Sequence, residues 1–212
     1  MASYSTGFGV DHGFAFANTF TFDLQLAPWW RLGRISPGLC GGMAYAALDY
    51  YHAGAPIPGQ TEPPPQDSAL GRYLIERQLA SNTASLVLQV VRWTLRDAQR
   101  LQAKMLASEL PSLRSHLQQG IPVVLVLIRA HSLREVTHNH QVVAYGYDED
   151  ADGGRMTIQV YDPNWPRRST ALSIELRPTD GDLRPTHTID GAFKGFILQA
   201  YTARQRGLPT TR

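Results

Sequence analysis

The chain carries a single cysteine, Cys40, in the run Ser36-Pro37-Gly38-Leu39-Cys40-Gly41-Gly42 that leads into Met43-Ala-Tyr-Ala-Ala47-Leu-Asp-Tyr50-Tyr51. Met43, Ala46, Ala47, Tyr50 and Tyr51 recur at helical spacing, so the thiol opens a helix. There it meets unpaired backbone N–H groups and the positive end of the helix dipole, both of which favour the thiolate, the nucleophilic form. Gly38, Gly41 and Gly42 leave the sulfur unshielded and let a carbonyl group approach the backbone. A lone cysteine is more commonly a small buried hydrophobe, so the reactive reading needs a base and a group to orient it. Among the seven histidines, His12, His52, His116 and His187 fall in turn or helix contexts and read as surface side chains, while His131 and His138 flank a loop. His140 differs, because it opens the apolar strand His140-Gln-Val-Val-Ala-Tyr-Gly-Tyr-Asp148, and the next strand ends at Tyr161-Asp162-Pro163-Asn164. In a hairpin running out through 140–148 and back through 156–162, the start of one strand lies beside the end of the other. His140 and Asp162 then become neighbours, and Asp162 or Asn164 holds the imidazole in one tautomer. Taken singly, His140 reads as a strand-end surface residue and Asp162 as a turn former before proline. Together with Cys40 they make a nucleophile, a base and an orienter, the set needed for covalent acyl transfer.

The elements that must position these groups divide along the chain. In the first 26 residues aromatic and small or polar side chains alternate, as in Phe14-Ala-Phe16 and Phe20-Thr-Phe22, which suits an extended segment packing one face on a core. After the Cys40 helix, five prolines within 55–68 mark a surface loop. Helical spacing resumes at Leu70, Tyr73 and Leu74 and again from Ala84 to about Leu110, with Pro111 as its stop, Ser112 capping a short helix to Gln119 and Gly120 ending it. Strands follow at 122–128, 140–147, 156–161, 171–176 and 193–201. A helical first half and a stranded second half, without βαβ alternation, predict an α+β domain with an antiparallel sheet, spanning 1–203, and a flexible tail at 204–212.

Composition narrows the functional classes. Lys+Arg 20 against Asp+Glu 18 leaves a net charge of +2, with Lys104 and Lys194 the only lysines, so nothing here resembles a nucleic-acid stripe or an electrostatic membrane anchor. One cysteine forms neither an intrachain disulfide nor a CxxC metal site, and the N-terminal segment has no cationic, apolar or cleavage-site pattern of a secretory signal; a cytoplasmic location is expected. No apolar stretch approaches the ~20 residues of a membrane span. Asp148-Glu-Asp150-Ala-Asp152-Gly153 opens like a calcium loop, but Gln159 stands where the bidentate glutamate belongs and strands flank it, so a solvated hairpin turn is the better reading. The glycines make no phosphate-binding pattern.

The order Gly-Leu-Cys40-Gly-Gly-Met, then Gly120-Ile-Pro-Val-Val-Leu-Val-Leu, then Asn139-His140-Gln-Val-Val-Ala-Tyr-Gly-Tyr, then Val160-Tyr-Asp162-Pro-Asn resembles the papain-like cysteine peptidase superfamily, and within it the bacteriocin-processing, double-glycine leader peptidases. The likeness spans roughly residues 36–165. It implies a papain-like fold and a peptide or amide substrate, with Cys40 as nucleophile, His140 as general base and then acid, and Asp162 as orienter. It implies no cofactor or metal. Such peptidases place a glutamine several residues before the cysteine as oxyanion donor. Here Arg34, Ser36 and Pro37 occupy that approach, which leaves Gln25, Asn18 or the Ser36 hydroxyl to serve, or an incomplete hole. The alternatives are an inactive peptide-binding module on the same scaffold and a transglutaminase-like acyl transferase, which keeps the three residues in the same order.

Overall fold

Helical and strand periodicities separate along this chain, and the elements follow that division. The computed structural model describes residues 2–20, 22–27, 30–35, 38–177 and 184–210, the strands at 22–27 and 30–35 by their backbone alone. Strand β1 (Ser3–Ser5) and the hairpin of β2 (Phe22–Ala27) and β3 (Trp30–Ile35) come first, followed by helices α1 (Cys40–His52), α2 (Ala69–Ser81), α3 (Ala84–Thr94), α4 (Ala98–Lys104) and α5 (Leu110–Gln118). Then come β4 (Val123–Ile128), β5 (His140–Glu149), β6 (Arg155–Tyr161), β7 (Thr170–Glu175), β8 (Thr186–His187), β9 (Gly191–Ala192) and β10 (Gly195–Gln199). The architecture is α+β, as expected. The large sheet runs β10-β4-β5-β6-β7-β8-β9 with antiparallel neighbours, and β1 pairs with the outer half of β5. No described helix is long and apolar enough to cross a membrane.

The first nineteen described residues are less regular than their alternation suggests. Between β1 and the hairpin lies only a short 3-10 turn, Val10–His12, yet Phe8, Phe14, Phe16 and Phe20 are all buried. They join Met43, Leu48 and Leu74 of α1 and α2 against Val124, Val143 and Tyr161 of the sheet. The opposite face of the sheet packs Val142, Ile158 and Phe196 on Leu113 and Leu117 of α5. Helix α1 is buried all round from Cys40 to Tyr50, more than a one-sided stripe predicts. Its small residues allow this: a Cβ built on Gly42 comes within 2.2 Å of the Leu74 carbonyl oxygen, so α2 lies against bare backbone there.

Two expectations for the helical half are corrected. The stripe from Ala84 to Leu110 is not one helix, because Asp97 accepts hydrogen bonds from Gln99 N and Arg100 N, caps α4, and breaks the run after Thr94. Nor does Pro111 stop a helix. A π turn at Met105–Glu109 carries α4 into α5, with Leu110 N–H bonded to Met105 C=O, and the proline stands in the first turn of α5, where its missing N–H costs nothing.

The presumed tail is also bonded. Asp49, fully buried in α1, pairs with Arg77 Nε at 2.7 Å and accepts from Tyr73 Oη and Tyr201 Oη at 2.8 Å and from Arg204 N at 2.7 Å. Tyr50 Oη donates to the Pro209 carbonyl at 2.5 Å, and Arg204 pairs with Glu76. The C-terminal segment 200–210 is thus strapped along α1 and α2. Removing one partner of a buried pair strands the other, so Asp49→Ala should lower unfolding free energy by about 3–5 kcal/mol in urea titration, and proteolysis should then cut the segment after residue 200.

Candidate active site

Cys40 is the first residue of α1, and the preceding Leu39 contributes no side-chain cap. Cys40, 9% exposed, lines a cleft of about 540 Å³. Across from it β5 begins with His140, which is 5% exposed. The β5–β6 register pairs Val143 with Tyr161, so one step further Asp162 stands opposite Val142, on the side of the pleat that His140 shares. His140 Nε2 lies 2.6 Å from Asp162 Oδ1, which also accepts from Asn164 N at 2.8 Å. Asn164 therefore serves the carboxylate, not the imidazole, which answers the choice the sequence left open. With Nε2 committed to Asp162, Nδ1 is the ring nitrogen left to serve Cys40, the thiol whose charge His140 favours.

Burial alone pushes the Cys40 thiol up, but the hydrogen bond and charge of His140, with the N–H groups of Gln141 and Gly41, outweigh it and hold the thiol below its ordinary range. Burial likewise disfavours a charged His140, yet the charge and hydrogen bond of Asp162, aided by Cys40, push it up to about 10. Asp162 loses by desolvation and regains more from His140, so it stays below the usual carboxylate range. The three shifts run the same way, each favouring the charged form: thiolate, imidazolium, carboxylate.

The amide geometry around the sulfur is fixed from a distance. The Ser81 carbonyl only accepts, so it takes Gln199 Nε2 at 2.5 Å; Gln199 Oε1 then takes Gln141 Nε2 at 2.5 Å, and Gln141 Oε1 is left 3.7 Å from Cys40 Sγ. Gln141 presents oxygen to the sulfur and is no oxyanion donor. A Cβ on Gly41 would come within 2.1 Å of that oxygen, which explains the glycine. Asn18 is oriented by the same logic. Its Oδ1 accepts from Leu39 N at 2.6 Å and its Nδ2 donates to Asn164 Oδ1 at 3.1 Å, while its backbone N–H reaches the Pro163 carbonyl at 3.0 Å. This one residue ties the cysteine loop to the aspartate turn and lines the cleft. Of the other oxyanion candidates, the side chain of Gln25 in β2 and all of Ser36 lie outside the described residues.

His187, expected at the surface, is instead 2% exposed and stands beside Asp162. Nothing in Thr186-His187-Thr188 signals this, since its strand is two residues long. Gln141 did carry a signal, being a polar residue inside an apolar strand. The acidic run at 148–153 is a hairpin turn, with Asp150 Oδ1 accepting from Arg155 N and Asp152 Oδ1 from Gly154 N. Comparison with family models, curated proteins and solved structures finds no match to this chain.

The sign of the pH dependence follows from the shifts. A lowered thiol keeps its thiolate until pH falls through the depressed value, and a raised imidazole keeps its proton until pH rises through about 10. Alkylation of Cys40 by iodoacetamide should therefore be faster than that of an ordinary thiol below pH ~8.5. Asp162→Asn removes what raises His140, so the alkylation curve should move toward that of an ordinary thiol near ~8.5.

Proposed function

We propose that this protein is a cysteine-dependent peptidase or amidase on a papain-like scaffold. The observation that carries the reading is His140 held at 2.6 Å on the buried Asp162 carboxylate while it lines one cleft together with Cys40. The Cys40 thiolate attacks the carbonyl carbon of a bound amide, and the C=O electron pair moves onto oxygen. The Cys40 backbone N–H, at the start of α1, and the Asn18 side-chain amide stabilise that oxyanion. Collapse of the intermediate breaks the C–N bond as His140 passes its Nδ1 proton to the departing amine, leaving a thioester. Water, deprotonated by His140, then attacks the thioester, releases the acid and returns the thiolate and imidazolium.

Asp162 stays ionised throughout. Its work is to hold the ring in one orientation and to stabilise the imidazolium. The cleft beside the sulfur is walled by Leu86, Val87 and Val90 of α3 with Val126 and Val136, which suits a substrate segment with aliphatic side chains. The resemblance in the order of the motifs supports the same reading.

The test is turnover of an internally quenched peptide library by wild type, Cys40→Ala and His140→Ala. Both variants should stay folded and lose activity by about 10⁴-fold or more. Asn18→Ala should lower kcat by about 100- to 1000-fold. Retention of full turnover by Cys40→Ala overturns the assignment. Peptide retention without cleavage, with an ordinary thiol at Cys40, replaces it with the binding-module reading. Incorporation of an added amine into the product marks an acyl transferase instead of a hydrolase.

A further inference from the structure

We propose that His187 is a positioning residue for Asp162, donating its Nε2–H to Oδ2 while His140 holds Oδ1, so that the carboxylate is clamped between two imidazoles. The inference rests on the peptidase reading and adds to it a residue outside the three expected from sequence.

The tautomer of His187 is fixed by its surroundings. Its Nδ1 faces the backbone N–H groups of Ile189 at 3.3 Å and Asp190 at 3.1 Å, and these can only donate. Nδ1 therefore carries the lone pair and Nε2 the proton. Nε2 lies 3.3 Å from Asp162 Oδ2, and neither atom completes a hydrogen bond of normal geometry with any group among the described residues. Each is a buried polar atom with only the other to turn to. The side chains of both residues are 0% exposed.

An outer layer holds His187 in turn. Asp190 takes Arg129 Nη2 at 2.7 Å and Trp165 Nε1 at 3.1 Å, and its Oδ2 lies 3.7 Å from His187 Nδ1. Burial holds His187 below the ordinary histidine range, with Arg129 and His140 adding to this, against the opposing pull of Asp162 and Asp190. The neutral, donating form of the ring is therefore the favoured one.

Asp162, His187 and Asp190 also place one ligand atom each within 4.8 Å of one another, the only such group found among the described residues. A metal there needs the Nε2 lone pair, and the backbone donors at Nδ1 put a proton on Nε2 instead. Arg129 on Asp190 occupies the remaining carboxylate. The chemistry fits a hydrogen-bonded clamp and not a cation site.

Without His187, Oδ2 would be an unpaired anionic oxygen in a dry site, and the carboxylate would be free to rotate or take up a proton. Either change weakens the imidazolium that keeps Cys40 ionised. The experiment follows iodoacetamide alkylation of Cys40 between about pH 5 and 9 in wild type, His187→Phe, His187→Gln and His140→Ala, with thermal unfolding of each. His187→Phe should slow alkylation near pH ~6 by about tenfold or more and move the inflection toward ~8.5. His187→Gln, whose amide N–H can take the place of Nε2–H, should keep the wild-type curve. A purely structural role lowers the melting temperature of both variants and leaves the curve alone, which overturns the proposal. An ordinary thiol curve in wild type, unmoved by His140→Ala, overturns the peptidase reading itself. Where His187→Phe fails to fold, nitrogen-15 shifts of wild-type His187 decide: a protonated Nε2 and bare Nδ1 across this pH range are expected, and the reverse tautomer refutes the clamp. Stoichiometric zinc binding that is lost in His187→Gln assigns the atoms to a metal and refutes it as well.

Discussion

A carboxylate with no solvent around it is the constraint on which the site depends. Asp162 is 0% exposed and charged, and a buried charge is tolerated only when every lone pair finds a hydrogen or an opposite charge. The fold supplies these from three places: the start of β5 through His140, the turn after β6 through Asn164 N, and the short strand β8 through His187. A slip of one residue in the β5–β6 pairing would turn Asp162 to the other side of the sheet and away from both rings. The register of a hairpin and the charge state of a thiol are thus the same fact seen at two scales.

Cys40 is held as firmly as His140. Helix α1 is bounded at its cysteine end by Asn18 on Leu39 N and by Gln78 on Gly42 N, and in its interior by the Asp49 cluster. Two buried aspartates, Asp49 and Asp162, therefore do different work. One ties α1 to α2 and the C-terminal segment; the other orders the His140 ring. Between them the sulfur has little freedom to move relative to His140, which is the preorganisation the proposed acyl transfer needs.

Much of this was legible in the residues. The small-residue turn before Cys40 marked the helix start, and hairpin arithmetic alone brought His140 to Asp162. The α+β division followed from where helical spacing gives way to aliphatic runs. What escaped has physical reasons. Asp97 reads as an ordinary surface residue until its cap geometry is seen, so the helical stripe ran on past it. The segment after Arg204 has too little apolar content to predict its docking, because its anchors are backbone atoms meeting Asp49 and Tyr50. His187 lies in a two-residue strand whose place beside Asp162 is set by β7, whose Leu172 it pairs with, and not by any pattern of its own.

The long strand β5 shares one edge between two partners: β4 covers His140 to Ala144, and β1 covers Gly146 to Asp148. Three residues near the start of the chain thus close the outer half of an edge that would otherwise present a row of free amide and carbonyl groups. Such a row is a template for a strand from another molecule. The pairing of Ser3 to Ser5 thereby acts as a guard against self-association, on the same strand that carries the imidazole at its other end.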